Sequence, residues 1–207
     1  ISQQRIHESV ARIWQAKTQI DTQTPTAINP DDSLIVDSIL QDSTLSSQTA
    51  LSILPSDTKR DCRNAIIVDD VLNASYLDIN SPAITIPQKF NYQRQIIDSH
   101  TLDCILLDSR PTLLQIFIRG NPFRGSAGLT ANTKQIYQRL LNDKQVEAVA
   151  IYGSPYVLEW FKTIMPSDLP WVFSYGQMEQ AQAIALKTLL KVDSAFIESK
   201  AVGNFGF

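Results

Sequence analysis

From about residue 60 onward, short apolar runs alternate with amphipathic segments, and this alternation constrains the fold more than any other feature of the sequence. The runs have the length of strands, and several have apolar residues on both faces, as strands inside a parallel sheet do. We predict strands over residues 65–68, 83–86, 105–107, 115–118, 148–152 and 171–175. We predict helices over residues 92–99, 130–142, 155–164 and 178–192.

Strands and helices that alternate at these lengths favour βαβ units, in which right-handed crossover helices cover a parallel sheet. The sequence therefore predicts an α/β fold for residues 61–207. We expect a three-layer α/β/α sandwich with a mostly parallel sheet, in which functional loops lie among the glycines at and after Gly120.

The N-terminal segment differs in pattern. Residues 1–18 are a predicted helix, which Ser2 can cap and in which Ile6, Val10 and Trp14 share one face. That apolar face has no sheet of its own, so we expect another surface to cover it. The chain also opens with Ile1 instead of a start methionine, from which we expect a piece of a longer protein.

Residues 19–60 are predicted to be a linker followed by helical structure. The first part is rich in Thr, Asp, Asn and Pro and has no period. The apolar positions of 34–54 are interrupted at 42–44, which predicts one broken helix or two short ones, ended by Pro55.

Composition narrows the classes of partner. The formal net charge of -3 gives no general attraction to nucleic acid or to anionic lipid. No apolar run approaches the roughly 20 residues that cross a bilayer, and no signal peptide is visible. We therefore expect a cytoplasmic or otherwise soluble protein that binds neither nucleic acid nor membrane. Two cysteines and two histidines without ligand spacing predict buried thiols and no structural metal.

Three aspartates resemble the acidic pocket of a phosphate-accepting receiver domain. Asp69 and Asp70 follow one predicted strand, and Asp108 follows another. Clustered carboxylates of this kind suit a magnesium ion. However, the next strand begins too soon after Asp108 for a crossover helix, which with its loops needs about a dozen residues. We therefore favour solvated strand ends, and we expect no metal and no cofactor.

The loop at residues 119–128 is the first candidate site. It follows a predicted strand and precedes a predicted helix, where open α/β sheets bind ligands. Its polar groups, which suit a carboxylate, a phosphate or a sugar, belong to Arg119, Asn121, Arg124 and Ser126. The spacing matches neither a P-loop nor a dinucleotide fingerprint. We favour a loop whose arginines pair with acidic residues of a neighbouring domain, and a ligand site is the alternative.

A second candidate is the helix N-terminus at Ser154 and Tyr156. Ser154 suits the N-cap and Pro155 the first helical position, so capping is favoured over anion binding. The aromatic residues of this region are Tyr152, Tyr156, Trp160, Phe161, Trp171, Phe173 and Tyr175. For these we favour core or domain-interface packing over a platform for sugar rings. No set of nucleophile, base and orienting group is visible, so no catalytic residue is predicted.

Two segments carry a family resemblance. Residues 153–190 read GSPYVLEWFKTIMPSDLPWVFSYGQMEQAQAIALKTLL and resemble the C-terminal α/β domain of glycoside hydrolase family 3, in its bacterial β-N-acetylglucosaminidase branch. Residues 5–17 read RIHESVARIWQAK and are similar to the last helix of the N-terminal (β/α)8 barrel of that family. Residues 34–54 stand where the family has its interdomain helix.

The resemblance implies retaining hydrolysis of β-linked sugars through an aspartate that lies in the barrel. No segment of this chain matches the catalytic motifs of the family, so no catalytic role is transferred to any residue. The implied partners are the barrel of the same parent chain and, through it, a carbohydrate substrate. We expect the chain alone to be inactive. The alternative is a stand-alone α/β module that binds a small anionic or sugar ligand at residues 119–128.

Overall fold

A computed structural model describes residues 2–19, 30–49, 51, 61–69, 74–98, 110–119, 129–142 and 145–191. Its contacts divide the chain into two compact units, Ile1–Val36 and Asp37–Phe207. None of the helices in the described part of the chain is long and apolar enough to cross a membrane.

The first unit contains helix α1 (Gln3–Gln19) and the start of helix α2 (Pro30–Ser43). The backbone N–H of Arg5 donates to Oγ of Ser2 at 3.4 Å, so Ser2 caps α1 as its sequence position predicts. The large apolar side chains of α1 are all more than 40% exposed; they are Ile6, Val10, Ile13 and Trp14. The predicted helix is therefore confirmed, and its apolar face is open.

The second unit is built around a six-stranded sheet in the order β1-β6-β5-β4-β2-β3. The strands are β1 (Leu45–Ser46), β2 (Cys62–Val68), β3 (Tyr92–Asp98), β4 (Thr112–Ile118), β5 (Val146–Gly153) and β6 (Trp171–Ser174). All neighbouring pairs are parallel except β1 with β6. The helices are α3 (Pro82–Gln88), α4 (Ala131–Asn142), α5 (Pro155–Lys162) and α6 (Glu179–Leu190).

Helices cover both faces of this sheet. Alternate residues along each buried strand point to opposite faces, as the pleat requires. Ile66 and Phe117 pack with α3 and α6 on one face, which we call the α3/α6 face. Ile67 and Ile116 pack with α4 and α5 on the other, the α4/α5 face. The predicted α/β sandwich with a mostly parallel sheet is confirmed.

Two neighbouring elements have the opposite type to the one predicted: a predicted strand is a helix, and a predicted helix is a strand. Residues 83–86 were expected to be a strand and instead form most of α3, in which Ala83, Ile84 and Ile86 are all buried. A run this short and this apolar has no period that separates helix from strand. Ser81 at the N-cap and Pro82 in the first turn are the local signals for the helix.

Residues 92–99 were expected to be a helix and instead form the edge strand β3. Only Tyr92 and Ile97 of this strand are buried, because β3 pairs with β2 alone among the described strands. The exposed residues Gln93 and Arg94 interrupt the alternation of apolar and polar residues that would indicate a strand. Charged or polar residues are common on such edge strands.

The predicted structure of residues 34–54 is partly correct. Helix α2 ends at Ser43, within the predicted break, and the chain then forms the two-residue strand β1 instead of a second helix. The strand predicted at 105–107 lies outside the described residues.

Candidate functional site

The carboxyl ends of four parallel strands meet at one edge of the sheet, which we call the carboxyl edge. Strand β2 ends beside β4, where Val68 pairs with Phe117. Strand β4 ends beside β5, and β5 ends beside β6. The residues that follow these strands are Asp69, Arg119, Ser154 and Tyr175.

The order of the strands places a topological switch point between β2 and β4. From β2 the chain first adds β3 on one side and later adds β4, β5 and β6 on the other. In open α/β sheets ligands bind at such a point. Here it is flanked by Asp69, which is half-buried, and Arg119, which is exposed.

Several predicted site residues lie outside the part of the chain that the structure describes. Asn121, Arg124 and Ser126 lie outside the described residues, as do Asp70 and Asp108. The described part of the chain holds no group of three or more His, Cys, Asp or Glu side chains arranged to bind a metal ion.

Gly153 brings the turn after β5 against the end of β4. Its φ of 117° lies where only glycine is comfortable. A Cβ at this position would clash with the carbonyl oxygen of Ile118 and lie 3.0 Å from its carbonyl carbon. The next residue uses the same oxygen, because the backbone N–H of Ser154 donates to it at 3.0 Å.

Ser154 occupies the N-cap of α5, and Pro155 follows it in the first turn. The serine hydroxyl makes no capping hydrogen bond; instead the backbone carbonyl of Ser154 accepts from Val157 N–H at 3.1 Å. Tyr156 is 73% exposed. The helix start therefore depends on backbone geometry and proline, and it presents a tyrosine to solvent.

The aromatic residues divide between core and surface. Tyr76, Phe117 and Tyr152 stack on the α3/α6 face with centroid distances of 5.1 and 4.3 Å. Tyr137 packs edge-on against Phe161 on the α4/α5 face. Of the aromatic residues considered from the sequence, only Tyr156 and Tyr175 are highly exposed. Core packing therefore holds for the buried aromatics, and for the exposed Tyr156 and Tyr175 domain-interface packing stays a prediction.

A buried polar network, which sequence reasoning missed, crosses the α3/α6 face. The Gln115 amide donates to Asn64 Oδ1 and to the carbonyl of Ala83, both at 2.7 Å. The hydroxyl of Tyr152 donates to Gln115 Oε1 at 3.2 Å. Gln115 interrupts the apolar run of residues 113–118, which is the signal that could have identified it, whereas Asn64 follows Arg63 and gives no such signal.

Gln182 of α6 extends the network to the carboxyl edge. Its Oε1 accepts from the backbone N–H of Ala83 at 3.1 Å. Its Nε2 donates to the carbonyls of Tyr76 and Gln177, each at 2.8 Å. The Gln177 amide donates to the carbonyl of Tyr152 at 3.3 Å. One buried side chain thus fixes helix α3 and the two loops that carry Tyr76 and Gln177.

Burial raises the pKa of two tyrosines well above its usual value. For Tyr152 burial is the cause, and its hydroxyl is bonded to Gln115. For Tyr137 burial is the larger cause, and the negative charge of Asp69 adds to it. The hydroxyl of Tyr137 has no hydrogen-bond partner in the described part of the structure. Both phenols are therefore held neutral.

The carboxyl edge also exposes side chains that suit contact with another protein. Tyr175 is 53% exposed and Met178, at the N-cap of α6, is 48% exposed. Aromatic residues, methionine and arginine are the types enriched at protein interfaces. Arg119 and Tyr156 are exposed at the same edge of the sheet.

Comparisons with known proteins agree with this architecture. The family model described as the Bacterial Glycosyl hydrolase family 3 C-terminal domain matches residues 55–191. A search of curated proteins found no significant match.

Two solved structures share the fold. A glycoside hydrolase family 3 β-N-acetylglucosaminidase from Paenibacillus sp. str. FPU-7 is 14% identical with a TM-score of 0.53, and the match covers 92% of this chain and 38% of that one. A fungal multi-domain family 3 β-N-acetylglucosaminidase with a GCN5-related glucosamine N-acetyltransferase region is 14% identical with a TM-score of 0.56, covering 92% and 22%. This chain thus spans well under half of either. Because the family model matches more than half of the sequence, the chain belongs to the bacterial glycosyl hydrolase family 3 C-terminal domains.

Proposed function

We propose that this chain is the C-terminal auxiliary domain of a family 3 glycoside hydrolase of the β-N-acetylhexosaminidase type. The observation that carries the proposal is the family match over residues 55–191, which extends over the whole parallel part of the sheet. Catalysis takes place on a (β/α)8 barrel of the same parent chain, where the family places its nucleophilic aspartate.

The choice of sugar is supported by the two structural relatives, both of which are named β-N-acetylglucosaminidases. In this proposal the substrate reaches the protein through the barrel, and the C-terminal domain carries no catalytic residue. Its contribution is a rigid body, since the buried network around Gln115 and Gln182 fixes the loops at the carboxyl edge.

Helix α1 supports the same proposal. Its exposed apolar residues, including Val10 and Trp14, recur at the spacing of one helix face. A contiguous apolar stripe on a surface usually marks a contact. We propose that residues 1–18 are the last helix of the barrel, which covers this stripe in the parent protein.

The test is hydrolysis of an aryl β-N-acetylglucosaminide by this chain and by the parent protein under the same conditions. We expect turnover by the parent and none by the chain, because a retaining mechanism needs the absent aspartate. Turnover by the chain that disappears when one of its own carboxylates is replaced would refute the proposal. Saturable binding of N-acetylglucosamine or phosphate to an inactive chain, with a parent that lacks hydrolase activity, would favour the stand-alone binding module.

A further inference from the structure

We infer that the exposed side chains of Arg119, Tyr156, Tyr175 and Met178 form the surface on which the catalytic barrel of the parent chain docks. We call these four residues the carboxyl-edge patch. The inference rests on the proposed function and adds the location of the interdomain contact.

The residues of the patch share one edge of the sheet. Arg119 follows β4, Tyr156 lies in the first turn of α5 after β5, and Tyr175 follows β6. The three strands are neighbours and parallel, so these residues lie at one edge of the sheet. Met178 is the N-cap residue of α6, four residues beyond β6. The patch thus comes from three consecutive strand ends instead of one loop.

The patch is held by packing and hydrogen bonds, and a docking surface that is already ordered loses little entropy on contact. Tyr175 rests edge-on against buried Phe173 at 4.8 Å between ring centroids. Gly176 lies so close to Met178 that a Cβ on the glycine would be 2.7 Å from the Met178 sulfur. Behind them, Gln177 is held by hydrogen bonds to Tyr152 and Gln182.

The residue types of the patch suit a protein partner. Tyrosine, methionine and arginine are enriched in the cores of protein interfaces, whereas lysine, glutamate and aspartate are depleted there. Of the seven exposed large apolar side chains in the described part of the second unit, three belong to this patch, and they are Tyr156, Tyr175 and Met178. A carbohydrate could stack on the tyrosines but would make no favourable contact with the thioether of Met178. A protein partner can contact all of these side chains, so it fits the whole patch better.

The partner is the rest of the parent chain. The match covers only 38% of the Paenibacillus chain and 22% of the fungal one, so in both relatives a domain of this fold is joined to a longer remainder of the same polypeptide. A covalently joined neighbour has a high effective concentration, which allows a modest patch to serve as a stable contact.

The two methionines of the chain allow a direct test. Met178 belongs to the patch, whereas Met165 packs against the core on the α4/α5 face. Dilute hydrogen peroxide converts an accessible methionine to its sulfoxide, and mass spectrometry reports the rate at each site. We expect Met178 to oxidise about tenfold more slowly in the intact parent protein than in this chain. Met165, the internal control, should react at the same rate in both.

A double variant of the parent protein, Tyr156→Ser with Tyr175→Ser, completes the test. We expect Met178 to regain most of its reactivity, because truncation of aromatic anchors weakens docking about tenfold or more. The matched control is Ile96→Ser, which removes an exposed apolar side chain from β3, the last strand of the sheet on the side away from β5 and β6. It should leave Met178 protected. Thermal unfolding of both variants checks that the domain still folds.

The outcomes separate this inference from the proposed function. If the parent hydrolyses the glycoside while Met178 reacts equally fast in parent and chain, the docking surface is overturned and the proposed function stands. If Met178 is protected but the double variant leaves it protected, the tyrosines are not part of the contact and the patch is likewise overturned. A parent without hydrolase activity overturns both.

Discussion

Gly153 shows how a single backbone conformation holds the carboxyl edge together. Its positive φ and its contact with Ile118 leave no room for a side chain. We expect Gly153→Ala to lower the free energy of unfolding by about 3 kcal/mol, measured by urea denaturation. Ser154→Ala is the control and should change it by less than about 0.5 kcal/mol, because the hydroxyl makes no capping bond. An equal effect of the two changes would contradict this account.

The two buried tyrosines allow a comparison of paired and unpaired hydroxyls. Tyr152→Phe leaves Gln115 Oε1 without its donor, so we expect a loss of about 1–2 kcal/mol of stability. Tyr137→Phe removes a hydroxyl that has no partner in the described structure, so it should be neutral or stabilising. Equilibrium unfolding of both variants checks this. A larger loss for Tyr137→Phe would show that its hydroxyl is bonded in solution.

The same tyrosines predict how stability depends on pH. Both have a pKa raised in the folded state, so the folded protein keeps protons that the unfolded chain releases above its usual tyrosine pKa of 10.0. Their contribution is complete below that pH and is lost as the pH rises. Above that pH, each tyrosine should lower the free energy of unfolding by up to about 1.4 kcal/mol per pH unit. Denaturation at pH 9 and at about pH 11 should show a shallower loss in either Phe variant than in the wild type.

At this scale the sequence predicts positions better than roles. Ser154 and Tyr156 lie at the start of a helix, as its Ser-Pro pattern indicates. Most contacts of Asn64, Gln115 and Gln182 were not predictable, because their partners are 19 to 106 positions away along the chain. The exception is Gln177, which is five positions from Gln182. Only the polar residue inside an apolar run hints that such a network exists.

Hydrogen bonds as well as an apolar face hold helix α6 in place. Gln182→Ala removes three of these hydrogen bonds, including the bonds that the side chain donates to the carbonyls of Tyr76 and Gln177. We expect a loss of about 3 kcal/mol in the free energy of unfolding. Gln180→Ala, on the exposed side of the same helix, should change it by less than about 0.5 kcal/mol. Chemical denaturation of both variants distinguishes the network from simple helix propensity.

The exchange of α3 and β3 in the sequence-based prediction has a physical reason. Helix α3 is so largely buried that its residues form a nearly continuous apolar run, which is typical of a strand. Strand β3 is so exposed that its apolar and polar residues alternate like those of an amphipathic helix. Burial is decided by which element lies at the edge of the sheet, and that order depends on the whole topology. Elements with a clear period or a strong boundary, such as α1, α4 and α5, are predicted correctly.

For the whole molecule, the alternation of elements determines the fold class despite these local errors. An exchange of one strand with one helix preserves the count of βαβ units, so the α/β sandwich is still predicted. The contact surfaces are less predictable. Exposure of Tyr156 and Tyr175, unlike that of Tyr152, follows from where each strand ends, which an apolar run does not reveal.

The open face of α1 leads to a prediction about solution behaviour. Ile6→Ser with Trp14→Ser should reduce self-association of the isolated chain at high protein concentration, because contiguous exposed apolar surface promotes contact between copies. Static light scattering over a concentration series measures this. Gln15→Ser, at an exposed polar position of α1, is the control and should leave the scattering unchanged. Identical scattering by all three proteins would contradict the prediction.

Strand β1 pairs with β6, and the two are joined at Ser47 and Trp171, which lie 124 positions apart. The ribosome must therefore synthesise nearly the whole domain before β6 can pair with β1 and complete the sheet. A nascent or truncated chain that stops short of residue 171 presents β5 as its edge, and residues 148–152 of that strand are fully buried in the finished protein. An apolar strand with a free edge is a template for aggregation. Premature termination in this domain should consequently yield insoluble product instead of a smaller folded protein.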